Sequence, residues 1–150
     1  MSVDVITEIV IDRPCDEVAR FASDPSNAPR WYVNIKSVAW ETDPPAVVGS
    51  RVSFVAQFLG RRLAYTYELV EVVPGERLVM RTAEGPFPME TTYTFSAEGD
   101  GRARMTLRNR GEPAGFSKVL APIMAAAMRR ANRKDLARLK SVLEQGGARA

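Results

Sequence analysis

Polar and apolar positions alternate from the start of the chain. From Val3 to Ile11, one parity carries Val3, Val5, Thr7, Ile9 and Ile11, and the other carries Asp4, Glu8 and Asp12 with Ile6 and Val10. That period of two predicts a strand with one core face and one mainly wet face. Arg13-Pro14 breaks it and opens a short helix from Pro14 to about Ala22, with Asp16 and Glu17 in the favourable first turn and Val18 and Phe21 facing inward. Asp24-Pro25 begins a second short helical turn that ends before Pro29-Arg30-Trp31. Six further strands are predicted: Ile35 to Thr42, Arg51 to Phe58, Leu63 to Val73, Arg77 to Ala83, Pro88 to Ala97 and Arg102 to Arg110. Asp43-Pro44-Pro45, Gly60, Pro74-Gly75, Gly85-Pro86 and Gly99-Asp100-Gly101 separate them as turn signals. Connections this short imply hairpins, and so an antiparallel sheet.

The period changes between Pro113 and Glu144. Phe116, Leu120, Ile123, Met124, Ala127 and Ala131 recur at three- and four-residue spacing and share one helical face, with Arg129, Arg130, Arg133, Lys134 and Lys140 largely on the others. Pro113 suits a first helical position and Gly146-Gly147 a stop. Pro122 predicts a kink or a helix start near it. Phe116 to Met128 is rich in Met and Ala and is expected to wall a cavity, while Leu136, Leu139 and Leu143 seal the closed end of the core. The expected architecture is α+β: seven antiparallel strands against one long C-terminal helix, with two short helices after strand 1. Residues 1–150 read as a single domain, with 146–150 as a frayed tail.

The inward parity of the later strands holds Val52, Phe54, Ala56, Phe58, Tyr65, Tyr67, Leu69, Leu78, Met80, Met89, Thr91, Tyr93, Phe95, Met105, Leu107 and Asn109. Three tyrosines, a threonine and an asparagine on one face suit a cavity with an apolar body and a few polar anchors. A packed core whose hydroxyls bond to backbone or trapped water is the alternative. Trp31, where the short helices meet the sheet, either lines the pocket mouth or plugs one end of the core. Arg30 beside it is expected to pair with Asp24. Asp135 is expected to be a solvated carboxylate paired with Arg138 or Arg129, although desolvation would make it a general base. Glu68, Glu71 and Glu90 fall on the outward parity and make poor catalytic candidates.

Composition narrows the chemistry. There is no histidine, which removes the commonest neutral-pH base and metal ligand and excludes Ser-His-Asp and Cys-His mechanisms. The single Cys15 excludes an internal disulfide and a cysteine zinc site, and reads as a structural or incidental thiol. No metal and no cofactor is expected. Residues 1–101 hold 9 Lys and Arg against 15 Asp and Glu, and residues 102–150 hold 12 against 3. The basic stripe Arg102, Arg104, Arg108 and Arg110 shares one parity of the last strand; wherever that strand lies beside the first, Asp4, Glu8 and Asp12 would compensate it across the pair. Internal compensation of this kind argues against nucleic acid as a partner. No apolar run approaches a membrane span and no signal-peptide pattern opens the chain, so the expected setting is cytoplasmic without stable membrane insertion. Monomer and homodimer stay open.

An ordered set of short motifs carries a resemblance across essentially the whole chain. They are Ile9-Val10-Ile11-Asp12-Arg13-Pro14 with Glu17-Val18, Asp24-Pro25-Ser26-Asn27-Ala28-Pro29-Arg30-Trp31, Val48-Gly49-Ser50, Val72-Val73-Pro74, Gly85-Pro86-Phe87, and Leu139-Lys140-Ser141-Val142-Leu143-Glu144. With the element order, the chain resembles the SRPBCC superfamily of Bet v 1-like helix-grip proteins, which includes START domains and the polyketide cyclase/dehydrase group. The resemblance implies a curved sheet, its last strand paired with the first, wrapped around the C-terminal helix and enclosing a pocket for a lipid, sterol, polyketide or other aromatic molecule. It does not by itself settle a reaction. Aromatase/cyclase members are thought to use an Arg and a Tyr. No motif here places either, and the position matching that Tyr, in the strand after Trp31, is Val38.

Three readings follow. In the first, a hydrophobic small molecule binds between Trp31, Phe54, Phe58, Tyr65, Tyr67, Met80, Met89, Thr91, Tyr93 and Asn109 on one side and Leu120, Ile123, Met124 and Ala127 on the other. In the second, the chain is a cyclase or dehydratase in which Tyr65, Tyr93 or Asn109 orients carbonyls. In the third, it is a chaperone-associated interaction domain of the same fold.

Overall fold

The computed structural model describes residues 3–58, 60–84, 88–111 and 121–146. Strand β1 (Val3–Ile11) is followed by α1 (Cys15–Ala22), a 3₁₀ turn (Pro25–Asn27) and α2 (Ala28–Trp31). Strands β2 (Ile35–Trp40), β3 (Arg51–Phe58), β4 (Arg61–Val73), β5 (Arg77–Glu84), β6 (Met89–Ala97) and β7 (Ala103–Gly111) come next, then α3 (Ala121–Gly146). The seven strands form one antiparallel sheet in the order β1-β7-β6-β5-β4-β3-β2. Successive hairpins account for every neighbour except β1 and β7, which pair from Val3 opposite Gly111 to Ile11 opposite Ala103. This is the helix-grip arrangement. Register shifts between β2 and β3 and between β4 and β5 bend the strands where the sheet curves over the helix.

Several boundaries moved for local reasons. Helical structure continues through Pro29 to Trp31 instead of ending before Pro29, because Pro29 lies in the first turn of α2, where no backbone N–H is required. Strand β4 starts at Arg61, two residues earlier than expected. Phe58 faces Arg61 across a tight hairpin, and Gly60 takes a left-handed φ of 75° that suits glycine. Pro122 falls in the first turn of the described helix, a position proline tolerates. Pro113, Phe116, Leu120, the Gly85-Pro86-Phe87 turn, the side chain of Phe58 and the tail beyond Gly146 lie outside what is described.

The main core joins Leu136, Leu139 and Leu143 of α3 to Ile11, Val18, Ala22, Trp31, Phe95, Met105 and Leu107. Trp31 is 1% exposed, its ring against Tyr32 (centroids 4.1 Å apart) and Tyr93 (5.7 Å). Of its two expected roles, plugging the core is the one it takes. A smaller cluster joins Met124 to Val3 and Val5.

The last turn of α3 is tied to the end of β1. Arg13 donates from Nε to the Leu143 carbonyl (3.0 Å) and from its terminal nitrogen to the Glu144 carbonyl (2.7 Å). Lys140 Nζ donates to the Val10 carbonyl (3.1 Å), and the Asp12 amide donates to Glu144 Oε2 (2.8 Å). Carbonyls at a helix C-terminus lack intrahelical partners, so a guanidinium there satisfies both hydrogen bonding and the helix dipole.

The outer face carries the charges, with some changes of partner. Arg108 grips Asp4 through two bonds of 2.9 and 2.6 Å, and Arg104 bridges Glu8 (2.7 Å) and Glu98 (2.9 Å). Arg110 pairs with Glu90 instead of a β1 residue, and Glu90 also holds Arg81. Arg102 attracts Glu98, and Asp12 is engaged with the helix end through its backbone and takes no part in the stripe's recorded ion pairs. Arg30 lies over the Phe21 ring, 4.9 Å from its centroid, rather than on Asp24, whose carboxylate caps the 3₁₀ turn by accepting from the Ser26 amide.

Candidate functional site: a cavity between sheet and helix

A cavity of about 160 Å³ lies between the concave face of the sheet and α3. Strands contribute Phe54 and Ala56 (β3), Leu63, Tyr65 and Tyr67 (β4), Leu78, Met80 and Thr82 (β5), Met89, Thr91 and Tyr93 (β6) and Asn109 (β7). The α1–β2 region adds Ala22, Ser23, Pro25, Ala28, Tyr32, Asn34 and Ile35, and α3 adds Met124, Met128, Ala131, Asn132 and Asp135. The period-two pattern explains the strand contribution, since alternate residues of a strand share one face.

Nine residues proposed from sequence line this space: Phe54, Tyr65, Tyr67, Met80, Met89, Thr91, Tyr93, Asn109 and Met124. Trp31 lies behind the wall in the core, and Ala127 is not among the lining residues. Ile123 is 60% exposed, contrary to its expected inward position. The inward stripe of α3 runs through Met124, Met128, Asn132, Asp135, Leu136 and Leu139, so it is rotated from the apolar face read off the sequence. Spacings of four, four, three and four link Met124, Met128, Asn132, Asp135 and Leu139. That pattern could have identified the stripe, but its two polar members masked it.

Asp135 is therefore not solvated. It is 3% exposed, and one recorded hydrogen bond reaches it, from the Val33 amide to Oδ1 at 2.8 Å. Neither Arg138 nor Arg129 forms an ion pair with it; Arg138 exerts only a Coulombic pull. Burial pushes its carboxyl up to about 7, while the Val33 bond and Arg138 oppose the rise. One turn earlier on the helix, Asn132 is 5% exposed, and its Nδ2 has no partner among the described residues.

The tyrosines fall into two groups. Tyr32, which the sequence reading did not select, meets Tyr93 hydroxyl to hydroxyl at 2.5 Å. Its neighbour Trp31 turns into the core, while Tyr32 faces the cavity. On the opposite wall, Thr91 Oγ1 donates to Asn109 Oδ1 (2.6 Å), and the hydroxyls of Tyr67 and Thr91 lie 2.9 Å apart. Thr91 has one proton and spends it on Asn109, so Tyr67 is the donor in that pair. The relay Tyr67–Thr91–Asn109 thus satisfies itself, which removes the Asn109 oxygen as a free anchor. Burial pushes the Tyr67 phenol up to about 12, and burial also raises Tyr32, Tyr65 and Tyr93. All four stay neutral near pH 7.

Cys15 opens α1, but burial raises its thiol, followed by the charge of Asp16, and Sγ contacts the Gly75 carbonyl at 3.7 Å. A structural role suits it. Among the described residues no cluster of three or more His, Cys, Asp or Glu is placed to hold a metal. No described helix is long and apolar enough to cross a membrane.

Comparison with solved structures gives the same architecture. A protein from Thermus thermophilus superposes with a TM-score of 0.83 at 22% identity, covering 95% of this chain and 98% of its own. The Zhui aromatase/cyclase from Streptomyces sp. R1128 gives 0.82 at 14% identity, with 97% and 96% covered. A START superfamily protein from Mycobacterium smegmatis gives 0.82 at 13% identity, with 95% and 97% covered. At these identities the likeness establishes the fold alone. No curated protein matches the sequence. The family model described as polyketide cyclase / dehydrase and lipid transport matches residues 2–144, from β1 to the clamped last turn of α3, and the chain belongs to that family.

Proposed function

We propose that this protein binds a hydrophobic small molecule in the cavity between the sheet and α3. The observation that carries the reading is the composition of the wall. Phe54, Tyr65, Leu78, Met80, Met89, Met124 and Met128 offer a continuous apolar lining, while polar groups gather around Tyr32, Tyr93, Asn132 and Asp135. An apolar lining with a few convergent polar groups is how small-molecule sites combine affinity with orientation. Flexible Met side chains let such a wall adapt to its occupant. The lipid transport half of the family description is consistent with this use.

A cyclase or dehydratase is the second reading, favoured by one observation. Asp135 is a cavity carboxyl whose pKa lies near neutrality beside neutral phenols, which suits a general acid or base. In that reading Tyr65 and Tyr93 would orient carbonyls of a poly-β-keto chain, and positioning would supply much of the rate.

The test is native mass spectrometry of the purified protein together with uptake of Nile red, a neutral apolar dye. Bound organic mass, or saturable dye fluorescence lost in a Met80→Arg variant that still folds, is the expected result. An empty protein that takes up no dye would overturn the binding reading. Turnover of a poly-β-keto thioester by the same preparation would promote the second.

A further inference from the structure

The polar end of the cavity is built asymmetrically. Among the described residues, no Lys or Arg lines it, and its one ionisable acid is Asp135. One oxygen of that carboxylate is taken by the Val33 amide, and no bond to the other is recorded. One turn away on the same face, the buried Nδ2 of Asn132 has hydrogens to give and no partner among the described residues. Residues three apart on a helix share a face, and both side chains line the cavity.

We infer that the cavity takes a ligand whose polar end is a hydroxyl, an alcohol or a phenol, that donates to Asp135 and accepts from Asn132, and that it disfavours fatty acids and other carboxylates. The inference rests on the binding reading above. A hydroxyl meets both needs through one atom, because its oxygen gives one hydrogen and takes others. An ammonium group would pair with the ionised Asp135 but leave the Asn132 hydrogens unmet, so it would use one half of the polar end and not the other. A carboxylate could accept from Asn132 but would set a second negative charge against Asp135 in a poorly hydrated space.

The other groups facing Asp135 do not reverse this preference. Tyr32 from the α2–β2 link, Tyr65 from β4 and Tyr93 from β6 interact with it as neutral phenols. Among the described residues, the one cation recorded as acting on it is Arg138, on its own helix and exposed. A carboxylate ligand can enter readily once Asp135 takes up a proton. Because that carboxyl titrates near 7, each pH unit above 7 weakens an acid by about tenfold.

The experiment uses the full chain loaded with Nile red and displaced by octanol, octanoate and octylamine, which share one tail. At pH 8, octanol is expected to displace the dye at roughly one tenth the concentration octanoate needs. Lowering the pH to 6 closes most of the gap between octanol and octanoate. Asp135→Asn is expected to abolish the pH dependence, and Asn132→Leu to weaken octanol while sparing octylamine. Octanoate binding as tightly as octanol at pH 8, or a gap unchanged in Asp135→Asn, would overturn the inference and leave hydrophobic binding standing. A wild-type protein that takes up no dye would overturn both.

Discussion

Asp135 shows most clearly how one position can depend on its surroundings. Its ordinary carboxyl value is 3.8, and burial raises it to about 7 in the folded protein. For an acid raised on folding, the folded state holds the proton more tightly than the unfolded chain. Stability therefore falls as pH rises from about 4 through 7, and the full penalty is present above 7. The gap corresponds to about 4 kcal/mol at most. Asp135→Asn keeps an oxygen for the Val33 amide and removes the charge. Its melting temperature is expected to match the wild type near pH 4 and to exceed it increasingly up to pH 8. Thermal melts across that range check the sign; a variant less stable than wild type at pH 8 would contradict it. Tyr67, Thr91 and Asn109 make a related point. All three lie on the expected face, but the Tyr67 and Thr91 hydroxyls spend their hydrogens along the relay to the Asn109 oxygen, so residue type and parity did not reveal which anchors were free.

At the scale of elements, α3 does two jobs. Its second half is a clamp: Leu136, Leu139 and Leu143 pack into the main core, and Arg13 and Lys140 close the helix end against β1. Its first half meets β1 through Met124 and gives the rest of its inner face to the cavity. Arg13→Ala is expected to cost about 1–3 kcal/mol, the range for losing charge-assisted hydrogen bonds to partly buried carbonyls. Hydrogen exchange should then speed up at residues 140–145 while the sheet amides stay protected. Uniform loss of protection throughout the sheet would show that the clamp is not local. The strands were legible because a period of two follows from backbone pleating alone. The helix face was less so: 3.6 residues per turn leaves the stripe's rotation to whatever the helix packs against, and here that selected Asn132 and Asp135 over Ile123 and Ala127.

For the whole molecule, the uneven charge along the chain becomes a set of local pairs across the sheet. Asp4, Glu8, Glu90 and Glu98 hold Arg108, Arg104, Arg110 and Arg81 on the outer face. Exposed pairs such as these contribute about 0–1 kcal/mol each. Their larger effect is to leave the C-terminal strand without an open basic track. No saturable binding to duplex or single-stranded DNA is expected at about 0.15 M salt, and a fluorescence-anisotropy titration checks this. A micromolar complex with a steep salt slope would overturn it.

The pattern of the chain was enough to set the hairpins and the inward faces of the strands, and the family resemblance added the pairing of the last strand with the first. Alternation, turn residues and short connections act locally and leave few topologies open. Only the tertiary packing set how α3 is rotated against the sheet, that Trp31 fills the core while Tyr32 meets Tyr93, and that Asp135 and Asn132 both line the cavity. Those outcomes depend on packing between elements far apart in the chain, and on which buried polar groups find partners there.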